Sequence, residues 1–181
     1  MKPVIVETNP DENTVESTEP AVVEPDFIFY YDYNSSNLRT NTKLNKQAVK
    51  AMVEKVAAGS AINGFEIQGW ASPEGELQLN NNLADERADA GAKAIKNQLK
   101  KVKLNEKNFN FTVNGNGPDW DKFIELVQNS NIKDKDQIIR VINNAGSQAK
   151  KEQEIKNMIN VYPELEKDIL PLIRRAEVYI K

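Results

Sequence analysis

Arg87 is the residue of this chain best placed to do chemistry. It lies in the run Gly64–Leu99, GFEIQGWASPEGELQLNNNLADERADAGAKAIKNQL, on a helical pattern that follows a short alternating strand and a Ser-Pro-Glu-Gly loop. A guanidinium held at such a junction can grip a carboxylate through two parallel hydrogen bonds. The start of the helix adds backbone N–H groups and a dipole that favours an anion. Ser72 and Glu74 in the loop, with Asn80 at the loop–helix boundary, offer a hydroxyl, a carboxylate and an amide beside it. That is the equipment of a binding site for a small charged group.

Several other chemistries are excluded by what the chain lacks. It has no Cys and no His, so the usual ligands of a transition metal are missing, as is the commonest general base of acyl transfer. No cofactor is expected. Asn114-Gly-Asn-Gly-Pro-Asp-Trp120 is glycine-rich but lacks the Lys-Ser/Thr that completes a phosphate loop, and reads as a tight turn. Ser147-Gln-Ala-Lys150 matches Ser-x-x-Lys, yet the companion Lys-Thr-Gly is absent. Acidic pairs such as Asp119 and Asp121 are expected by chance in a chain that is 28% charged.

The elements that must position Arg87 follow from periodicity. The 181 residues, 39% hydrophobic with a net charge of −3, suffice for one domain and a tail. Residues 1–26 carry seven acidic side chains, one lysine and four prolines. We read them as a disordered acidic linker, with an edge strand over Pro3–Glu7 as the alternative. The rest is only slightly basic, far from the concentrated Lys/Arg face that nucleic acid demands. No apolar run approaches the roughly 18–20 residues of a membrane span. The first residues lack the basic start and apolar core of a secretory signal, so an exported protein would have its signal or anchor elsewhere.

From residue 27 the pattern alternates between the two periods. Phe27–Tyr33 reads as a strand and Lys43–Ala58 as a helix. Phe65–Trp70 is a second strand, residues 81–100 a second helix capped by Asn80–Asn82, and Phe109–Val113 a third strand closed by the Asn-Gly-Asn-Gly turn. Helical patterns follow around Phe123–Val127, Ile138–Ile142 and Lys150–Asn160, before a terminal strand over 174–181. The order predicts an α+β fold, a mixed sheet with helices on one face in a two-layer β-α-β-α-β sandwich, and extra helices before the last strand.

The run Gly69-Trp-Ala-Ser-Pro-Glu-Gly75, followed by Asn80-x-x-Leu83-Ala84-x-x-Arg87-Ala88, resembles the peptidoglycan-binding domain at the carboxyl end of outer-membrane protein A. The same domain occurs in peptidoglycan-associated lipoproteins and flagellar stator proteins. The terminal Arg174-Arg175-Ala176-Glu177-Val178-Tyr179-Ile180 resembles that family's last strand, and the aromatic first strand with its serine-containing turn also fits. The resemblance covers about 27–181, with a helical insertion at about 118–172. It implies non-catalytic binding of diaminopimelate in the peptide stem, on the periplasmic side of a Gram-negative outer membrane.

In that family a loop Asp takes the ligand's ammonium and the helix Arg its carboxylate. Carried over, Arg87 matches the Arg, Asn80 the boundary Asn, Leu83 the helix Leu and Ala71 the residue ending the strand, while the Asp position holds Ser72. Glu74 or Glu76 is then the carboxylate available from a shifted position. The other reading is an interaction or assembly module that kept this fold and lost peptidoglycan. Without the resemblance, Arg87 is a surface cation paired with Asp85, Glu86 or Asp89, Trp70 packs or meets sugar, and one of Arg174 and Arg175 clamps acidic groups of the second helix.

Overall fold

The computed structural model describes residues 23–58 and 61–181. The expected linker falls outside the described residues up to position 22, as does the alternative strand over Pro3–Glu7. The first anchor of the fold is Asp26. Its N–H donates to the Val178 carbonyl at 2.8 Å, and its carboxylate accepts from the Ile180 N–H at 2.7 Å and pairs with Lys55. Burial alone would raise the Asp26 pKa, but these donors outweigh it and hold the carboxyl below its ordinary value.

The chain runs β1 (Phe27–Tyr30), α1 (Lys43–Ala57), β2 (Gly64–Ala71), α2 (Leu77–Lys101), a 3-10 turn (Glu106–Asn108) and β3 (Asn110–Pro118). Then come α3 (Trp120–Asn129), α4 (Lys135–Asn144), α5 (Gln148–Val161), a π-turn (Leu165–Ile169), α6 (Leu170–Ile173) and β4 (Arg175–Ile180). The result is an α+β fold with a mixed four-stranded sheet ordered β1-β4-β2-β3. The last strand is inserted between the first two, antiparallel to both, while β2 and β3 are parallel.

Alternation along the strands sends Phe27, Phe29, Phe65, Ile67, Ala176 and Val178 to one face of the sheet. There they bury against Ala48 and Met52 of α1 and Ala88, Ala92, Ile95 and Leu99 of α2. The helices between β3 and β4 build a second cluster around Phe123, Val127, Ile138, Ile142, Ile155 and Leu165, each fully buried. Its link to the sheet is polar. Asp119, which caps α3 through the Lys122 N–H at 2.9 Å, also receives Arg175 of β4 at 2.7 Å.

Three boundary differences from the sequence reading matter most. First, β3 does not stop at a turn after Val113. It continues to Pro118, because Asn114 and Gly115 remain in register with Gln68 and Gly69 of β2. The glycines there serve close approach: a Cβ on Gly115 would collide with the Asp85 backbone of α2. Second, α2 begins at Leu77 with Glu76 as N-cap, so Asn80 is not its cap. Third, β1 ends at Tyr30. The next residue turns inward, and its phenol donates to the Arg87 carbonyl at 2.7 Å.

Gly69 sits where α2 presses hardest on β2, since a Cβ there would lie 2.8 Å from the Ala88 nitrogen. Gly69→Ala is therefore expected to lower unfolding stability by about 3 kcal/mol, the upper end of ordinary overpacking. Urea denaturation of the folded variant measures it, and an unchanged midpoint would contradict this packing.

Candidate functional site

Three segments meet at the end of β2: the β2–α2 loop, the first turns of α2 and the loop leading out of β1. Ser72, Glu74, Asn80, Leu83 and Arg87, all singled out from sequence, line one cavity of about 20 Å³ there. That is room for roughly one water molecule. Ala71 does not join them. It is wholly buried on the inner face of the sheet, and its carbonyl accepts from the Asp119 N–H at 3.0 Å. Glu76 is exposed as the helix cap, so Glu74 is the loop acid that reaches the cavity.

Arg87 is 1% exposed and is not the open fork that the sequence suggested. Its Nε donates to the Ser35 carbonyl at 3.0 Å, Nη1 to the Trp70 carbonyl at 3.0 Å and Nη2 to the Asp32 carbonyl at 3.3 Å. It makes no ion pair with Asp85, Glu86 or Asp89; Glu86 accepts from Ser36 Oγ instead. The residue lies on the inner stripe of α2, between Ala84 and Gly91, so burying that face buries Arg87 too. Burial, with the charge of Arg174 nearby, pulls its pKa down to about 10, which leaves it cationic at neutral pH. Its Cζ lies 5.6 Å from the centre of the Tyr31 ring, whose own phenol burial pushes upward in pKa.

The second cation is Arg174, and its partner is the loop rather than helix α2. Nη2 donates to Glu74 Oε1 at 2.8 Å and Nε to Ser72 Oγ at 3.1 Å, while Ser72 Oγ donates to the same Glu74 oxygen at 2.8 Å. Tyr33 covers the guanidinium, its ring centre 5.0 Å from Cζ. Glu74 Oε2 is buried with no hydrogen-bond donor among the described residues. Asn80 turns back to the loop, its amide donating to the Gly75 carbonyl at 3.0 Å.

No family model matches the chain, and no curated protein matches it. Its chemistry must be read from these residues alone. Arg87 and Arg174 set two positive charges against the single negative charge of Glu74, all three at most 8% exposed. A buried excess of one positive charge is costly without a counter-ion, so the cavity favours an anion. The unpartnered oxygen of Glu74 favours a hydrogen-bond donor. The complement of the pair is a group carrying a carboxylate and an ammonium close together.

Tyr33, Asn34, Gly75 and Leu79 also line the cavity without having been singled out. Tyr33 and Asn34 belong to a turn forty residues before the helix motif, and Arg174 stands a hundred residues after Glu74; local spacing carries no signal for either. The remaining motifs are structural. Ser147 Oγ accepts from the Lys150 N–H at 3.3 Å as the cap of α5. Trp70 lies on the outer sheet face, Nε1 donating to Glu177 at 3.1 Å beneath Arg175. Among the described residues there is no cluster of three or more metal-ligating side chains and no helix long and apolar enough to cross a membrane.

Replacing Arg87 by Gln strips donors from three carbonyls at once. The expected loss is about 3 kcal/mol of stability, read by urea denaturation, whereas Ser36→Ala at the exposed rim should stay within about 0.5 kcal/mol. An equal effect of the two would contradict the structural role given to Arg87.

Proposed function

We propose that this chain is a non-catalytic binding domain of the outer-membrane protein A type. It takes the diaminopimelate residue of a peptidoglycan peptide stem on the periplasmic side of the outer membrane and so ties that membrane to the wall. The observation that carries the reading is the convergence of Ser72, Glu74, Asn80, Leu83 and Arg87, the residues of the family-like motif, on one cavity. In this reading Glu74 Oε2 accepts from the ligand's ammonium, in the place of the Asp that Ser72 replaces. The carboxylate of the same residue meets the excess positive charge of Arg87 and Arg174. The sheet order, with β4 between β1 and β2, is compatible with the two-layer sandwich that the resemblance implies.

A second reading has its own support. The cavity holds about 20 Å³ and the Arg87 guanidinium is already bonded to three carbonyls. Both facts fit an assembly module that kept the scaffold and lost the wall ligand, since fold does not dictate function.

Titration of muropeptides with diaminopimelate, recorded as backbone amide shifts, separates the two. The first reading expects saturable shifts over residues 72–87 at millimolar ligand, and a loss of about tenfold in affinity, near 1.4 kcal/mol, for Glu74→Gln. Silence across that segment hands the function to the second reading.

A further inference from the structure

A six-residue strap forms one wall of the small cavity, and Arg87 itself ties the strap down. Residues 32–37 run between two fixed points. On one side Tyr31 is buried and bonded to the Arg87 carbonyl. On the other, the Arg39 carbonyl accepts from the amide of Asn45, a buried residue that also holds both backbone groups of Tyr30. Between these points the strap contributes Tyr33 and Asn34 to the cavity wall, and Asn34 adopts a left-handed backbone with φ 46°.

Among the described residues the strap makes a few polar contacts. The buried ones are the Asp32 and Ser35 carbonyls on Arg87 Nη2 and Nε. The others lie at the surface: Ser36 Oγ on Glu86 at 2.8 Å and Arg39 on the Asp32 carboxylate at 2.6 Å. Tyr33 itself stays 65% exposed over Arg174. By contrast, the Trp70 carbonyl on Arg87 Nη1 belongs to the sheet and would keep the guanidinium in place if the strap left.

The geometry points to residues 32–37 being a lid latched by Arg87, opened when a ligand carboxylate replaces the Asp32 and Ser35 carbonyls on the guanidinium. A carboxylate is the stronger acceptor for a cation, since charge-assisted bonds are about twice as strong as those to neutral carbonyls. The exchange also neutralises the buried positive excess. Arg87 is then a positioning residue in the closed form and a ligand contact in the open one. This lid rests on the binding function proposed above, and explains how a pocket the size of one water admits a peptide stem.

The test uses the absence of cysteine from the chain. The double variant Ser36→Cys/Glu86→Cys is joined by a short bifunctional thiol alkylator, which fastens the strap to α2. The same variant with both thiols capped singly is the reference. Muropeptides containing diaminopimelate are titrated into both and into the unaltered chain. The lid predicts that the capped variant, which has lost the Ser36–Glu86 contact of the closed strap, binds at least as tightly as the unaltered chain, that cross-linking weakens binding at least tenfold relative to the capped form, and that ligand speeds amide exchange at 33–37 in the unaltered chain. Equal binding by the cross-linked and capped forms overturns the lid and leaves the binding function standing. Absence of binding by the unaltered and capped proteins alike overturns both.

Discussion

The structure depends on one buried guanidinium. Arg87 draws together the end of β2, through Trp70, and the loop leaving β1, through Asp32 and Ser35. Its own carbonyl receives the Tyr31 phenol, so the residue is bonded at both its backbone and its side chain to segments more than fifty positions away in one direction. A cation can be buried in this way only when its donors find acceptors, and backbone carbonyls are suited to the task because they desolvate cheaply compared with carboxylates. The same arrangement leaves it without a direct ion pair among the described residues, with Glu74 and Glu86 as the nearby negative charges.

The neighbouring triad adds a carboxylate. Ser72, Glu74 and Arg174 are mutually bonded, yet the geometry satisfies only one oxygen of Glu74. Ser72 cannot neutralise an ammonium, but it fixes the rotamer of a carboxylate two residues on that can. The loop thus holds its negative charge at Glu74, against the cavity. Arg174 completes the arrangement, since a buried carboxylate needs a counter-charge, and the first residue after α6 supplies it.

The helical segment between β3 and β4 affects the site through its ends. Its own core of Phe123, Val127, Ile138, Ile142, Ile155 and Leu165 is separate from that under the sheet. At one end, the Asp119 N–H donates to the Ala71 carbonyl and its carboxylate accepts from the Arg175 guanidinium. At the other, Arg174 reaches the β2–α2 loop. Holding both ends against β2 fixes where β4 enters the sheet, and hence where Arg174 points.

Strand and helix identity was legible in the residues because it rests on local periodicity. The alternation of Phe65 and Ile67 with Glu66 and Gln68, and the small-residue stripe Ala84, Ala88, Gly91, reveal which faces are buried before any partner is known. The same reading brought five of six motif residues to one cavity, since they lie within a single strand–loop–helix unit. That reading counted Ala71 among them, and the structure sets it apart on the inner face that it shares with Phe65 and Ile67. The reading also ended β3 too soon, because Asn114 and the glycines look like a turn until β2 lies alongside and α2 demands their lack of a side chain. That Arg87 is inside, that Arg174 answers Glu74 and that Tyr33 closes the cavity were decided by tertiary structure alone. Each joins residues with dozens of positions between them, and only the order of strands in the sheet brings such distant groups within a hydrogen bond's reach.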